Sequence, residues 1–408
     1  MTIHQCSCVA YGDCWDGDEP CGPLGAGEMV MLPAACIFSI SAESVWGASA
    51  PGRWLRTLAR VVGAAAVAVV LLLSPVASRA ETLGPAIGAS GFVYTANEDA
   101  GSISVIDLAT GLVRTVGLKI APHNVQVSAD GTRLFVVGMP EMQRDNAGGM
   151  TMPMPGMQGQ LLVFGTDALD AGPVATIQVG AHPAHVIADR DGKLAFVTDA
   201  ETDAVIVVDL SARRVIGKVT TGKYPHGLRM SPDGREIYVA DVEDGTVAVL
   251  DVQTRTSVAR IPVGAGPVQV GFTPDGARVF VSLRDDNAVA AIDTRTRAVI
   301  ARYDVGRGPI QVQVTPDGRY VYVCNQGTSD DPGDTVSVID VASGAVIATI
   351  HTGRGAHGVA ASADGALMFV TNSVDSTLSV IDTRTYAVVA SYAVGAGPNG
   401  VTFRPAKN

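Results

Sequence analysis

The stretch Val268-Gln-Val-Gly-Phe-Thr-Pro-Asp-Gly-Ala-Arg-Val-Phe-Val-Ser282 decides the fold. Apolar side chains alternate with others on both sides of Thr273-Pro-Asp-Gly276, the pattern of half-buried strands. Proline presets the second position of a type I turn and glycine suits the fourth. Two antiparallel strands therefore meet at a tight turn. Downstream lie a polar loop, Arg284-Asp-Asp-Asn287, and a third alternating run, Ala288-Val-Ala-Ala-Ile-Asp293. A second turn, Thr294-Arg-Thr-Arg297, leads to a fourth run ending at Val305-Gly306. The unit is one small four-stranded sheet.

The unit repeats. Asp-Gly recurs at 130–131, 191–192, 233–234, 275–276, 317–318 and 364–365, in steps of 61, 42, 42, 42 and 47 residues. A period of about 40–45 residues with four strands each is the signature of a propeller blade. Seven second strands can be counted, from Phe92-Val-Tyr-Thr95 to Leu367-Met-Phe-Val-Thr371. The first unit begins at its second strand, and Gly397-Pro-Asn-Gly-Val-Thr-Phe403 is a lone first strand. The expected fold is all-β: a seven-bladed propeller of four-stranded antiparallel blades, closed where the C-terminal strand completes the N-terminal blade. Phe369-Val-Thr-Asn372 followed by Thr377-Leu-Ser-Val-Ile-Asp382, and Thr335-Val-Ser-Val-Ile-Asp340, resemble the consensus of the YVTN-repeat family from about residue 88 to 405. That resemblance implies the fold and a periplasmic or surface setting, and leaves activity open.

The chain has 408 residues, 47% of them hydrophobic, and a net charge of −11. The apolar fraction excludes global disorder. The acidic balance, with no Lys/Arg cluster, argues against nucleic acid, whose affinity comes largely from phosphate neutralisation. Arg53, Arg56 and Arg60 precede the apolar run Val61 to Leu73, and small residues follow at Ser78 and Ala80. Residues 51–80 read as a secretory signal cut after Ala80, and the apolar run within it is too short for a membrane span. Residues 1–50 read as an untranslated upstream segment, the start codon being placed too early, and residues 81–408 as the propeller. Five of the six cysteines fall in 1–50, in no zinc spacing, and Cys324 lies inside an apolar strand as an inert thiol. The expected location is the periplasm or outside the cell, with no membrane span after cleavage.

Two features carry chemistry. Counted from Asp-Gly, His123, His226 and His357 each sit seven residues before the Asp and His185 six before it, while Asn399 takes this place in the closing strand. Blades two, three, four and seven thus put imidazole where the inner strand begins, at the mouth of the central channel. His182 is placed to join them, and His351 is ordinary. Imidazole is the commonest protein metal ligand near neutral pH. The competing reading is a repeated turn whose ring caps backbone groups.

The second feature is an enlarged loop in blade two, 139–158, with Met139, Met142, Met150, Met152, Met154 and Met157. Thioethers select Cu(I). The competing reading is a greasy flap. Together the features predict a copper-binding protein in copper handling, or an accessory to a redox system, with a metal ion and a periplasmic protein as partners. Two alternatives stand beside it. One is a metal-dependent lactonase-like hydrolase using Glu98, Glu201, Asp203, Glu243, Asp285 or Asp286, which would favour a hard ion. The other is a non-catalytic interaction scaffold.

Overall fold

In the computed structural model, residues 80–141 and 157–406 are described. The expectations for the leader, the upstream cysteines, and Met142, Met150, Met152 and Met154 lie outside them.

Seven antiparallel sheets follow one another around a ring. In blade five the strands run inner to outer as Pro267–Phe272, Arg278–Leu283, Ala288–Asp293 and Ala298–Asp304. Each inner strand packs against the inner strands of both neighbouring blades. The ring closes as the repeat arithmetic requires. Pro398–Arg404 pairs with Phe92–Asn97, Phe92 opposite Arg404 and Asn97 opposite Pro398. Blade one also carries a fifth, outermost strand, Ala80–Leu83, paired with Leu112–Gly117. No alternation marked it. Among the described residues no helix is long and apolar enough to cross a membrane.

The core lies between blades, because each sheet buries both faces. Tyr238, Ala240, Val247 and Val249 of blade four pack with Val270, Val279, Val281 and Ala290 of blade five. Burying each large apolar side chain contributes roughly 1.5–3 kcal/mol. The repeated turn is tied by its own side chains. In blade four the Ser231 hydroxyl donates to Asp233 at 2.6 Å, Asp233 accepts from the Arg235 N–H at 3.1 Å, and Gly234 holds φ +77°.

A hydroxyl on the second strand joins adjacent blades. Thr198 accepts from the His185 N–H at 2.9 Å and donates to the His226 carbonyl at 2.7 Å. Thr371 does the same between the Gly358 N–H and the Asn399 carbonyl. Ser282 does so between the Gln269 N–H and the Ile310 carbonyl. These bonds fix the height of each inner strand against the next, and so the height of whatever projects into the channel.

Candidate metal centre

The inner strands of blades three and four open at Pro183 and Pro225, that of blade two runs from Ile120 through Pro122, and each breaks its ladder register close by. Such a bulge re-aims side chains. His123 and His226 are the first residues after their prolines and His185 is the second, yet all three reach one point. Their ligand atoms lie within 4.8 Å of one another. The rings of His185 and His226 are 4.8 Å apart, and those of His123 and His226 are 5.3 Å apart at 90°.

Hydrogen bonds fix what these rings can do. The Val268 carbonyl accepts from His226 Nδ1 at 3.3 Å, so neutral His226 presents a lone pair at Nε2. Glu98 accepts from His123 Nδ1 at 3.1 Å and also from the Asn399 amide. The Nε2 atoms of His123 and His226 then face each other at 3.2 Å. Two lone pairs cannot sit there alone. Either His123 carries a second proton, or a metal cation lies between the rings. Two nitrogens on one tetrahedral ion with bonds of about 2.0–2.1 Å are separated by about 3.3 Å, so this pair is already spaced as ligands.

His185 is buried, and its Nε2 has no partner. Its Nδ1 accepts from the Gln269 amide at 3.4 Å, and Gln269 Oε1 is taken by the Val270 N–H. Neutral His185 therefore carries its proton on Nε2. To ligate there it must shift that proton to Nδ1 and displace the Gln269 amide. Burial, and next the charges of neighbouring histidines, hold His185 and His226 well below the usual imidazole range. Both rings are neutral at pH 7, the form that binds metal. For Glu98, burial pushes upward, but the His123 charge and hydrogen bond carry it below the usual carboxylate range. A carboxylate on the far nitrogen of a ligand histidine fixes its tautomer and raises its basicity.

The other expected ligands fall outside this group. His357 is buried with its Nδ1 unpartnered, and burial pushes it down to about 4. Its ligand atoms are not in the three-histidine cluster. The His182 ring packs edge-on against Tyr224, 6.1 Å away, and burial lowers its pKa. His351 is exposed and pairs with Asp334 at 3.1 Å. Met139 lies in the strand Arg133–Pro140, opposite Ala121 and two residues along from His123. Met157 is partly buried just before the next strand, Gln160–Gly165. The register thus puts the departure point of the enlarged loop at the histidine end of blade two.

Three of the six rim acids serve the loops. Asp203 pairs with Lys223, Asp286 with Arg302, and Asp285 with Arg284. Asp286 also accepts from the Ala265 N–H. Glu98 differs by turning inward to His123. Sequence reasoning missed the supporting roles of Gln269, Thr198 and Asn399. Only Asn399, standing in a histidine's place, carried a signal.

The family model of a YNCE-like beta-propeller matches residues 162–362 and, in an overlapping match, 279–406, together more than half of the chain. No curated protein is significantly similar. Among solved structures, the periplasmic gluconolactonase PpgL of Pseudomonas aeruginosa is 20% identical with a TM-score of 0.62, over 77% of this chain and 98% of that one. A putative 6-phosphogluconolactonase from Bacteroides uniformis is 16% identical with a TM-score of 0.63, over 77% and 99%. Hydrazine synthase of Kuenenia stuttgartiensis is 20% identical with a TM-score of 0.59, over 70% and 95%. At these identities the likeness is one of fold.

Proposed function

The chain belongs to the YNCE-like β-propeller family, a fold that does not by itself determine chemistry, and we propose that it is a metal-binding propeller that holds copper at the mouth of its channel. His123 and His226 are the central ligands and His185 the third. Glu98 orients His123. The carrying observation is the 3.2 Å approach of two Nε2 atoms whose Nδ1 protons are already committed to Glu98 and Val268. Imidazole alone suits copper, zinc or nickel. The choice of copper rests on the sulfur-rich segment that leaves blade two at Met139 and returns at Met157. The working role is copper handling, or service to a redox system, in the periplasm. The basic-then-apolar leader pattern at 51–80 supports that location, and the periplasmic gluconolactonase is consistent with it.

Titration of the purified protein with Cu(I) and Cu(II) tests this. Sub-micromolar binding of either, lost in His226→Ala, is the expected result. Binding of neither ion below micromolar overturns the reading.

One observation favours a second reading, a lactonase-like hydrolase. The Glu98–His123 pair is also how a carboxylate orients a general base, and two structurally similar proteins carry lactonase names. In that reading lactone hydrolysis falls with Glu98→Gln whether or not copper is present.

A further inference from the structure

The ladder register marks one tier of the channel wall below the histidines. In every blade, one inner-strand residue lies opposite the aromatic residue of the second strand. In blade four this is Arg229, opposite Tyr238. In blades two and six it is Gln126, opposite Phe135, and Gln313, opposite Tyr322. The other blades place no charged residue there. We propose that this tier is a binding site for a small oxyanion, with the Arg229 guanidinium as its charge and the Gln126 and Gln313 carboxamides as further donors.

Arg229 stands on an innermost strand, Pro225–Met230, and is partly exposed. Its outer side is backed by Glu236–Asp241, and its neighbours Leu228 and Met230 pack into the apolar cluster between blades three and four. The exposed part of the side chain therefore opens on the channel. Of its five N–H donors, one bonds at 3.0 Å to the Leu228 carbonyl of its own strand. Among the described residues no carboxylate pairs with it. Burial alone pushes the guanidinium down to about 10.

A second inner-strand arginine shows that the fold can neutralise such a charge. Arg404 donates to Asp167 at 2.7 Å and to Thr166 at 3.1 Å, and lies over the Phe92 ring. An uncompensated charge out of bulk water is costly, and among the described residues no acid pairs with Arg229. Gln126 and Gln313 each donate one amide N–H to their own strand, at Val127 and Val314, and each carboxamide has a second N–H. The planar guanidinium fork matches the two oxygens of a carboxylate or phosphate.

The tier goes beyond the metal reading. Arg229 is three residues along the strand from His226, past a ladder bulge, and its charge is among those that depress His185. Its test therefore uses metal-free protein, titrated calorimetrically with inorganic phosphate and, separately, acetate. Binding of at least one at about 1 mM or tighter is expected. Arg229→Gln should weaken it at least tenfold, Arg229→Lys should weaken it less, and His226→Ala should leave it unchanged. Phosphate alone, or acetate alone, would identify the class of anion. If neither binds, or Arg229→Gln binds like wild type, the proposal is overturned. Should Arg229→Gln fail to fold, unaltered affinity in both Arg229→Lys and Gln313→Leu overturns it equally. Loss of copper binding in His226→Ala with anion binding intact keeps the two readings separable.

Discussion

Blades three and four differ from blades five and six in what they hold out, not in how they are built. Both pairs carry the hydroxyl that joins one inner strand to the next: Thr198 in one, Ser282 in the other. In blades three and four the residues it steadies are His185 and His226. In blades five and six they are Gln269 and Ile310, and Val268 and Ile310 hold the places of the histidines. The scaffold is periodic and the chemistry is an exception written onto it. Blade four departs a second time. Asp241 stands where blades one, six and seven have Asn97, Asn325 and Asn372, whose amides donate to two hydroxyls each.

The largest expected effect breaks that contrast at its centre. His226→Ala should weaken copper binding about 1,000-fold or more, measured by competition with a chelator, because it removes one of the two nitrogens already at ligand spacing. The same variant tests the buried neutral rings. In metal-free wild type the unfolded chain takes up protons near pH 6.5 that His185 and His226 refuse in the fold. Stability should therefore fall as pH drops below 6.5. The variant should show a shallower fall in thermal midpoint.

Asp241 comes next. Burial raises this carboxyl to about 7, and one of its oxygens has no partner. A folded pKa above the unfolded value of 3.8 gives stability that is full below that value and is lost as pH rises towards 7. Asp241→Asn, which copies blades one, six and seven, should therefore stabilise the protein at pH 8 by about 2–4 kcal/mol. Denaturant midpoints at pH 8 and pH 4 check this, with little difference expected at pH 4.

Glu98→Gln sharpens the comparison from the side of the supporting residues. Copper affinity should drop about 10–100-fold, the usual cost of losing a carboxylate behind a ligand histidine. Unfolding should change little, since Glu98 is only partly buried. The smallest effect separates scaffold from site most cleanly. Thr198→Val and Ser282→Ala should each cost about 1–2 kcal/mol in stability. Only Thr198→Val should also loosen metal binding, by a few-fold, because only Thr198 bonds to the backbones of two ligands.

The same distinction explains what could be read from the chain. The ring, its seven sheets and its closing strand were legible because alternation and Asp-Gly turns recur on a fixed period. The meeting of His123 and His226 was legible because both follow a proline at the same distance from the turn. His185 is offset by one residue, and spacing alone would turn it to the opposite side. Its ring nonetheless lies 4.8 Å from that of His226, a meeting that residue counts do not show. His357 shares the spacing yet stays apart from the cluster, because equal height in a blade does not decide which way a ring turns. Glu98 was visible as one rim acid among six. Its inward turn depends on Asn399, some 300 positions later in the chain, a contact only the folded ring creates.

That last contact ties the chemistry to the order in which the molecule is finished. Glu98 leaves the second strand of the opening blade, and the amide that shares it arrives on the final strand. Until Pro398–Arg404 seats beside Phe92–Asn97, His123 lacks a settled orienting group. A chain stalled before that strand would hold its imidazoles without the means to aim them, so closing the ring also finishes the site that we propose.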